Sequence, residues 1–327
     1  MTSLLILSTI PTTIIQFQIE PMSLSFRAKK LHFASSGSMP LRLLGKTGVK
    51  LPILGFGTAS AGKRLDLREA VRLYEQAFNE GVTYFDTAPE FAGYGKAQEQ
   101  LGVFLRGRRS DVFLVTKCFE PDGAAALKLL EQNLKELQTD YADLVFVHSV
   151  GDNKMDPRVV FSKHGTYAAL VKAKAQGLTR FIGLSGHSRP GRFAEAIKYF
   201  DVDVLLNSIN FVDRFTYNFE EQVWAQAAGH NLGLIAMKVF GGELDPPPAS
   251  LSHCKMPNNR LDEAFRYALS HPHVACAVIG MATHEELHQN LYRAKSFIPL
   301  SQSERYQLLS IGKQMAGRWG SHLGPVV

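Results

Sequence analysis

The chain has 327 residues, 45% of them hydrophobic and 20% charged. This ordinary globular composition excludes a largely disordered chain, a collagen and a coiled coil. Its 36 Lys and Arg against 30 Asp and Glu leave a net charge of +6. The basic residues are neither clustered nor interleaved with aromatics, so nucleic-acid binding is not implied. Cys118, Cys254 and Cys276 are too scattered for a disulfide framework and form no CxxC pair, which argues against a cysteine-built zinc or iron–sulfur site.

Residues 1–39 stand apart from the rest. They are rich in Ser and Thr, with Glu20 their one acid and Arg27, Lys29 and Lys30 their bases. The apolar stretch 4–15 is broken by Pro11 and falls short of the ~20 residues a membrane span needs. A basic, acid-poor, Ser/Thr-rich start has the composition of an organelle transit peptide, and the scarcity of Arg favours a plastid. The plainer alternatives are a disordered extension or a start at Met22 or Met39, with the protein then cytoplasmic. Residues 40–327 read as one domain.

From Pro40 the apolar runs 41–44 and 49–53 flank Gly45-Lys46-Thr47-Gly48, the pattern of a β-hairpin. Eight apolar runs follow, at 53–57, 82–86, 112–117, 142–148, 179–185, 202–207, 232–237 and 274–280. Stretches with helical spacing alternate with them, at 67–80, 96–106, 124–137, 162–176, 191–200, 219–228, 261–270 and 284–295. Continuous apolar strands joined by helices specify a parallel sheet covered on both faces. Eight units match an α/β fold of the (β/α)8 TIM barrel type. Here it carries an N-terminal β-hairpin cap and an extra C-terminal helix at 302–315. An open doubly wound sheet is the rival. It would show GxGxxG after its first strand, and neither Gly55-Phe56-Gly57 nor Gly93-Tyr94-Gly95 supplies the third glycine.

Barrel chemistry sits at the C-terminal ends of the strands. Asp86, Lys117 and His148 each close an apolar run, on three consecutive strands. Neighbouring strand ends lie about 5 Å apart, so the three side chains can share one pocket. A buried Lys is costly, and an adjacent Asp offsets that cost. The plain reading of the trio is a salt bridge at the barrel mouth.

More of the sequence bears on the choice. Gly81-Val82-Thr83-Tyr84-Phe85-Asp86-Thr87-Ala88, Val115-Thr116-Lys117 and Leu144-Val145-Phe146-Val147-His148 occur in order. Gly55-Phe56-Gly57-Thr58 precedes them; Ala236-Met237-Lys238-Val239-Phe240-Gly241-Gly242 and Val278-Ile279-Gly280-Met281 follow. In these motifs the chain resembles the aldo-keto reductase superfamily over about residues 41–297. The resemblance implies a nicotinamide cofactor, NADPH or NADH, across the barrel mouth. Hydride then passes between it and a small carbonyl or alcohol substrate. A tyrosine hydroxyl donates the proton, a Lys lowers the tyrosine pKa, an Asp holds the Lys, and a His binds at the carbonyl oxygen. Lys117, Asp86 and His148 take the last three roles. The family tyrosine falls at Phe91, which has no proton to give, and Tyr94, followed by Gly95, is the candidate in its place. The resemblance assigns cofactor contacts to Gly57, Thr58, Asp86, Ser185, Asn207, Lys238, Phe240, Gly241, Gly242, Gly280, Met281, Gln289 and Asn290. Asn207 would stand in for an amide-binding Gln. His187 is either a pocket residue or a helix cap. Many members place an Arg for the NADPH 2′-phosphate where this chain has Glu286, and a carboxylate repels a phosphate. The family habit points to NADPH and Glu286 to NADH.

Two other functions compete with the reductase. Phe91 and the altered amide-binding positions motivate a cofactor-binding regulatory or scaffold protein. A metal-dependent barrel lyase would need more carboxylates or His at the strand ends, where Asn207, Met237 and Gly280 stand instead; no metal site is expected. The sequence leaves the oligomeric state open. The loops 152–163 and 243–259 are the long mouth loops. Pro246-Pro247-Pro248 stiffens the second, which reads as a surface excursion or as a lid over the cofactor.

Overall fold

The computed structural model describes residues 38–199, 201–244 and 254–327. Strands β1 (Leu41–Leu43) and β2 (Lys50–Pro52) pair antiparallel. Gly48 at the turn takes φ +73°, a conformation that a side chain would strain. Leu44 and Leu51 turn inward and join the apolar cluster inside the barrel, closing its lower end.

Eight parallel strands follow: β3 (Leu54–Gly57), β4 (Tyr84–Asp86), β5 (Phe113–Cys118), β6 (Ala142–Val147), β7 (Thr179–Gly186), β8 (Val204–Ser208), β9 (Gly233–Met237) and β10 (Val274–Gly280). Each pairs with the next, and β10 returns to β3, so the sheet is a closed barrel. Every residue of β5 and β6 is buried, as expected of strands packed on both faces. The helices are α1 (Ala59–Arg64), α2 (Leu67–Asn79), α3 (Ala97–Phe104), α4 (Gly123–Glu136), α5 (Pro157–Val160), α6 (Thr166–Ala175), α7 (Pro190–Tyr199), α8 (Ala225–Gly229), α9 (Leu261–Leu269), α10 (His284–Lys295) and α11 (Gln302–Trp319). Helix α2 shows why they form where they do. Asp66 and Glu69 make a capping box, and Ala70, Leu73, Tyr74 and Ala77 give a stripe of helical period that buries on the barrel.

Local differences from the sequence expectation have physical causes. The helix expected at 162–176 starts four residues later, as α6 at Thr166, because Gly165 before it packs on the short α5, where a Cβ would lie 2.1 Å from Val159 O. The helix expected at 219–228 begins with a wide π-type turn over Glu220–Trp224. Glu220 there accepts from Arg214 and Tyr267 at 2.8 and 2.9 Å. The terminal helix runs four residues further, to Trp319, and Gly312 lets it rest on the backbone of Phe211. Residues 1–37 of the expected targeting extension, and Pro246-Pro247-Pro248 of the expected lid, lie outside the described residues. Among the described residues no helix is long and apolar enough to cross a membrane.

The segment carrying Tyr94 rests on α1 through two glycines. A Cβ on Gly62 would lie 2.1 Å from Tyr94 O, and one on Gly95 (φ +52°) 2.4 Å from Gly62 O. Lys96 N donates to Gly62 O at 3.0 Å. Gly62→Ala is expected to push this segment away and destabilise the fold by about 1–3 kcal/mol. A thermal melt and a turnover assay check this; unchanged Tm with unchanged turnover would show that the contact does not place Tyr94.

Candidate active site

Asp86 ends β4 and Lys117 lies near the end of the adjacent β5. Both side chains are buried, and Lys117 Nζ is ion-paired with Asp86 Oδ1. Its other acceptors are Thr87 O at 2.9 Å and Tyr94 Oη at 3.0 Å. An ammonium has three N–H donors, so Lys117 is fully used. Tyr94 Oη accepts from Lys117 and keeps its own proton, whose protein acceptor is Asp86 Oδ1 at a long 3.4 Å.

The extra residues between Asp86 and Tyr94 are taken up by a tight turn at Glu90–Ala92, closed by Gly93 N donating to Glu90 O at 2.9 Å. Phe91 sits in that turn and is 58% exposed, so it lies on the rim rather than in the Lys117 cluster. Lys154 Nζ stands 5.6 Å from its ring centre and 5.0 Å from that of Phe119. Tyr84, two residues before Asp86, faces the barrel interior with the apolar cluster below the carboxylate.

The electrostatics follow from burial. Burial works against the Lys117 ammonium, but the Asp86 carboxylate and Tyr94 outweigh it and hold its pKa above the ordinary Lys value. Burial pushes the Tyr94 pKa up; Lys117 opposes that shift and Asp86 adds to it. His148 lies just past the end of β6, its ring edge-on to Phe119 at 5.4 Å. Burial, with the charge of Lys117, drives its pKa well below the ordinary His value, so the ring is neutral at neutral pH. His187 is pushed down to about 4, chiefly by burial and then by Lys238. Its Nδ1 lies 2.8 Å from Leu323 O. A carbonyl only accepts, so Nδ1 carries the proton and Nε2 is left as an acceptor.

The expected cofactor residues separate into groups. Ser185, at the mouth end of β7, has a buried Oγ without a partner, as does His148 Nδ1. Buried polar atoms are rarely left unpaired, so this pocket is suited to a ligand that both donates and accepts, as a nicotinamide amide does. Lys238, Gly241 and Gly242 form a loop after β9 with φ of +53°, +77° and +88°. Phe240 on that loop is half-buried, with the Arg293 guanidinium 5.8 Å from its ring centre. Gly57 pairs with Gly280 where β3 meets β10, and a Cβ on Gly280 would meet only the Ser60 hydroxyl closely, at 2.8 Å. Thr58 Oγ1 is spent on Asp86 O at 2.9 Å.

Asn207 is fully buried, donating to Gly186 O and accepting from Trp224 Nε1, both at 3.0 Å, so its amide ties β7 and β8 to the π-type turn. Met281 is a core side chain. Gln289 donates to Glu285 on the surface of α10, and buried Asn290 accepts from Arg293 at 3.1 Å. Glu286 caps α10, accepting from Ala282 N at 2.7 Å and Thr283 N at 3.1 Å, with Arg64 3.9 Å away.

Other mouth features had no sequence signal. Lys63 on α1 is ion-paired with Glu243, beyond the loop after β9. The C-terminal tail crosses the mouth: Tyr217 Oη accepts from Leu323 N at 2.8 Å and donates to Gly324 O at 3.0 Å. Among the described residues no cluster of His, Cys, Asp and Glu could hold a metal ion.

Comparison with known proteins agrees with this geometry. The model of the Aldo/keto reductase family matches residues 53–246. L-galactose dehydrogenase of Arabidopsis thaliana is 27% identical over 289 residues, covering 77% of this chain and 86% of that protein. Methylglyoxal reductase YeaE of Escherichia coli is 35% identical over 140 residues, covering 42% of this chain and 46% of that protein. Among solved structures, a putative aldo-keto reductase from Pseudomonas aeruginosa is 29% identical with a TM-score of 0.64, covering 80% of this chain and 96% of that one. The aldo/keto reductase of Klebsiella pneumoniae in complex with NADP and acetate is 25% identical with a TM-score of 0.65, covering 84% and 95%. With its closed eight-stranded barrel and the match over residues 53–246, the chain belongs to the aldo/keto reductase family of NAD(P)-dependent oxidoreductases.

Proposed function

We propose that the protein reduces a small aldehyde or ketone, or oxidises the matching alcohol, with Tyr94 as the proton donor. The observation that carries this is the Tyr94 hydroxyl 3.0 Å from the Lys117 ammonium, which is itself paired with Asp86. A bound nicotinamide supplies or takes up the hydride. The chain does the rest. Tyr94 gives its proton to the carbonyl oxygen, and Lys117 stabilises the phenolate that remains. Asp86 keeps Lys117 charged and in place. Neutral His148 presents its ring to the same oxygen and helps hold the charge that develops there. Ser185 Oγ orients the amide of the cofactor.

With Tyr94 at the Lys117 cluster, Phe91 no longer argues for a protein without turnover. A sugar-like substrate suits the mouth, where His187 Nε2 remains an acceptor and Lys154 stands beside Glu120 at 2.8 Å. The likeness to L-galactose dehydrogenase supports that class.

The test is Tyr94→Phe, assayed over a panel of aldehydes, ketones and sugars. Turnover should fall by about 10²–10⁴-fold, the usual worth of a general acid, while cofactor affinity is kept. Because burial raises the Tyr94 pKa, the wild-type hydroxyl is protonated at neutral pH. Reduction should therefore be flat across neutral pH and fall in alkali, whereas alcohol oxidation, which needs the phenolate, should rise with pH. Full activity in Tyr94→Phe would remove Tyr94 from the mechanism.

We also propose that NADH is preferred. The Glu286 carboxylate occupies the Ala282 and Thr283 N–H groups at the entry to α10, and a 2′-phosphate brought there would meet a like charge. Side-by-side assays should give a kcat/KM for NADH at least about tenfold above that for NADPH, a difference of ~1.4 kcal/mol. Glu286→Arg should narrow or invert the ratio; an equal or NADPH-favouring ratio in the wild type would overturn the preference.

A further inference from the structure

The loop Lys238–Gly242 has a conformation its own backbone does not favour. Three of its five residues have positive φ, and one of them, Lys238, carries a side chain that is costly there. Something outside the loop must hold it. Two of its carbonyls are held by side chains. Lys238 O accepts from Asn210 Nδ2 at 3.1 Å, and Gly241 O accepts from His322 Nε2 at 2.8 Å.

Both donors gather around the buried Asp213, with His322 at the solvent edge of the cluster. Asn210 Nδ2 also donates to Asp213 Oδ2 at 2.6 Å, and Trp319 Nε1 donates to Asp213 Oδ1 at 2.8 Å. His322 Nδ1 stands 3.8 Å from the same Asp213 Oδ1, and its ring meets that of Trp319 edge-on at 5.4 Å. The Trp319 indole also sits against Gly241, where a Cβ would lie 2.5 Å from Cζ2. The first carbonyl is thus fixed by the turn after β8, and the second by the tail that follows α11.

We propose that His322 is a positioning residue for the cofactor: by donating from Nε2 to Gly241 O, it locks the loop Lys238–Gly242 in the shape that receives the nicotinamide nucleotide. This rests on the reading above that the loop holds the cofactor. His322 touches neither the reacting atoms nor the Lys117 cluster, so its effect falls on cofactor binding and not on the chemical step. The recognition is of a nucleotide pyrophosphate or ribose by preformed loop backbone, and preorganisation sets its strength.

The test uses the full chain with His322→Leu and His322→Gln. Leu removes the N–H; Gln carries a side-chain N–H at a similar reach. NADH and NADPH are titrated against quenching of the tryptophan fluorescence, which two residues supply, Trp224 and Trp319. The KM for cofactor and kcat are then measured on one carbonyl substrate. Losing one net hydrogen bond should weaken cofactor binding by about five- to tenfold in His322→Leu, with kcat at saturating cofactor kept. His322→Gln should restore most of the affinity. Wild-type affinity in His322→Leu would overturn the proposal, and so would equal weakening by Leu and Gln, because then the ring's shape and not its N–H would matter. A fall in kcat with unchanged cofactor KM would also overturn it. If the wild type binds neither nucleotide, the cofactor reading itself fails, and that outcome is separable from the others because it appears before any variant is made.

Discussion

The site depends on one buried ion pair. Lys117 and Asp86 both leave water, and neither is tolerable there alone, because an uncompensated buried charge costs several kcal/mol. Their pairing sets the other positions. It fixes the Lys117 ammonium at the barrel mouth, where the remaining two N–H groups select Thr87 O and Tyr94 Oη. A closed sheet is what makes the pairing rigid. Asp86 is in register with Gly57 on one side and with Val115 on the other, so the carboxylate cannot drift from the ammonium without breaking the ladder.

Tyr94, the proposed acid, comes from a loop, so its placement has to be built separately. Strand register places Asp86 and Lys117, but Tyr94 is delivered by a turn at Glu90–Ala92 and by backbone contact between Gly62 and Gly95. The absence of side chains at those two positions does the same work that register does for the strand residues. It also explains how an aromatic residue at Phe91 is accommodated: once the turn closes, Phe91 faces the rim, next to Lys154.

What the sequence disclosed, and what it hid, follows from range. The eight strands were visible because buried parallel strands are apolar throughout. Asp86, Lys117 and His148 stood out because each is polar at the end of such a run. Tyr94 was findable from its neighbour Gly95. The tie between Asn207 and Trp224 was hidden, because Trp224 sits in a π-type turn that helical spacing does not reveal. The cluster of Asn210, Asp213, Trp319 and His322 left no periodic trace. Its members join a turn to a tail separated by about a hundred residues, and only the packing of α11 brings them together.

The filling of the barrel carries a consequence for traffic. Below Asp86 the interior is occupied by Tyr84, Phe113, Phe146 and their neighbours, and the hairpin residues Leu44 and Leu51 stop its far end. Burial raises the pKa of Tyr84 well above the ordinary tyrosine value, so it is a poor source of protons for the carboxylate above it. The pocket is a cul-de-sac. Nucleotide, substrate, product and the proton that would recharge the proposed acid all share one doorway, beside which the C-terminal tail packs on Tyr217.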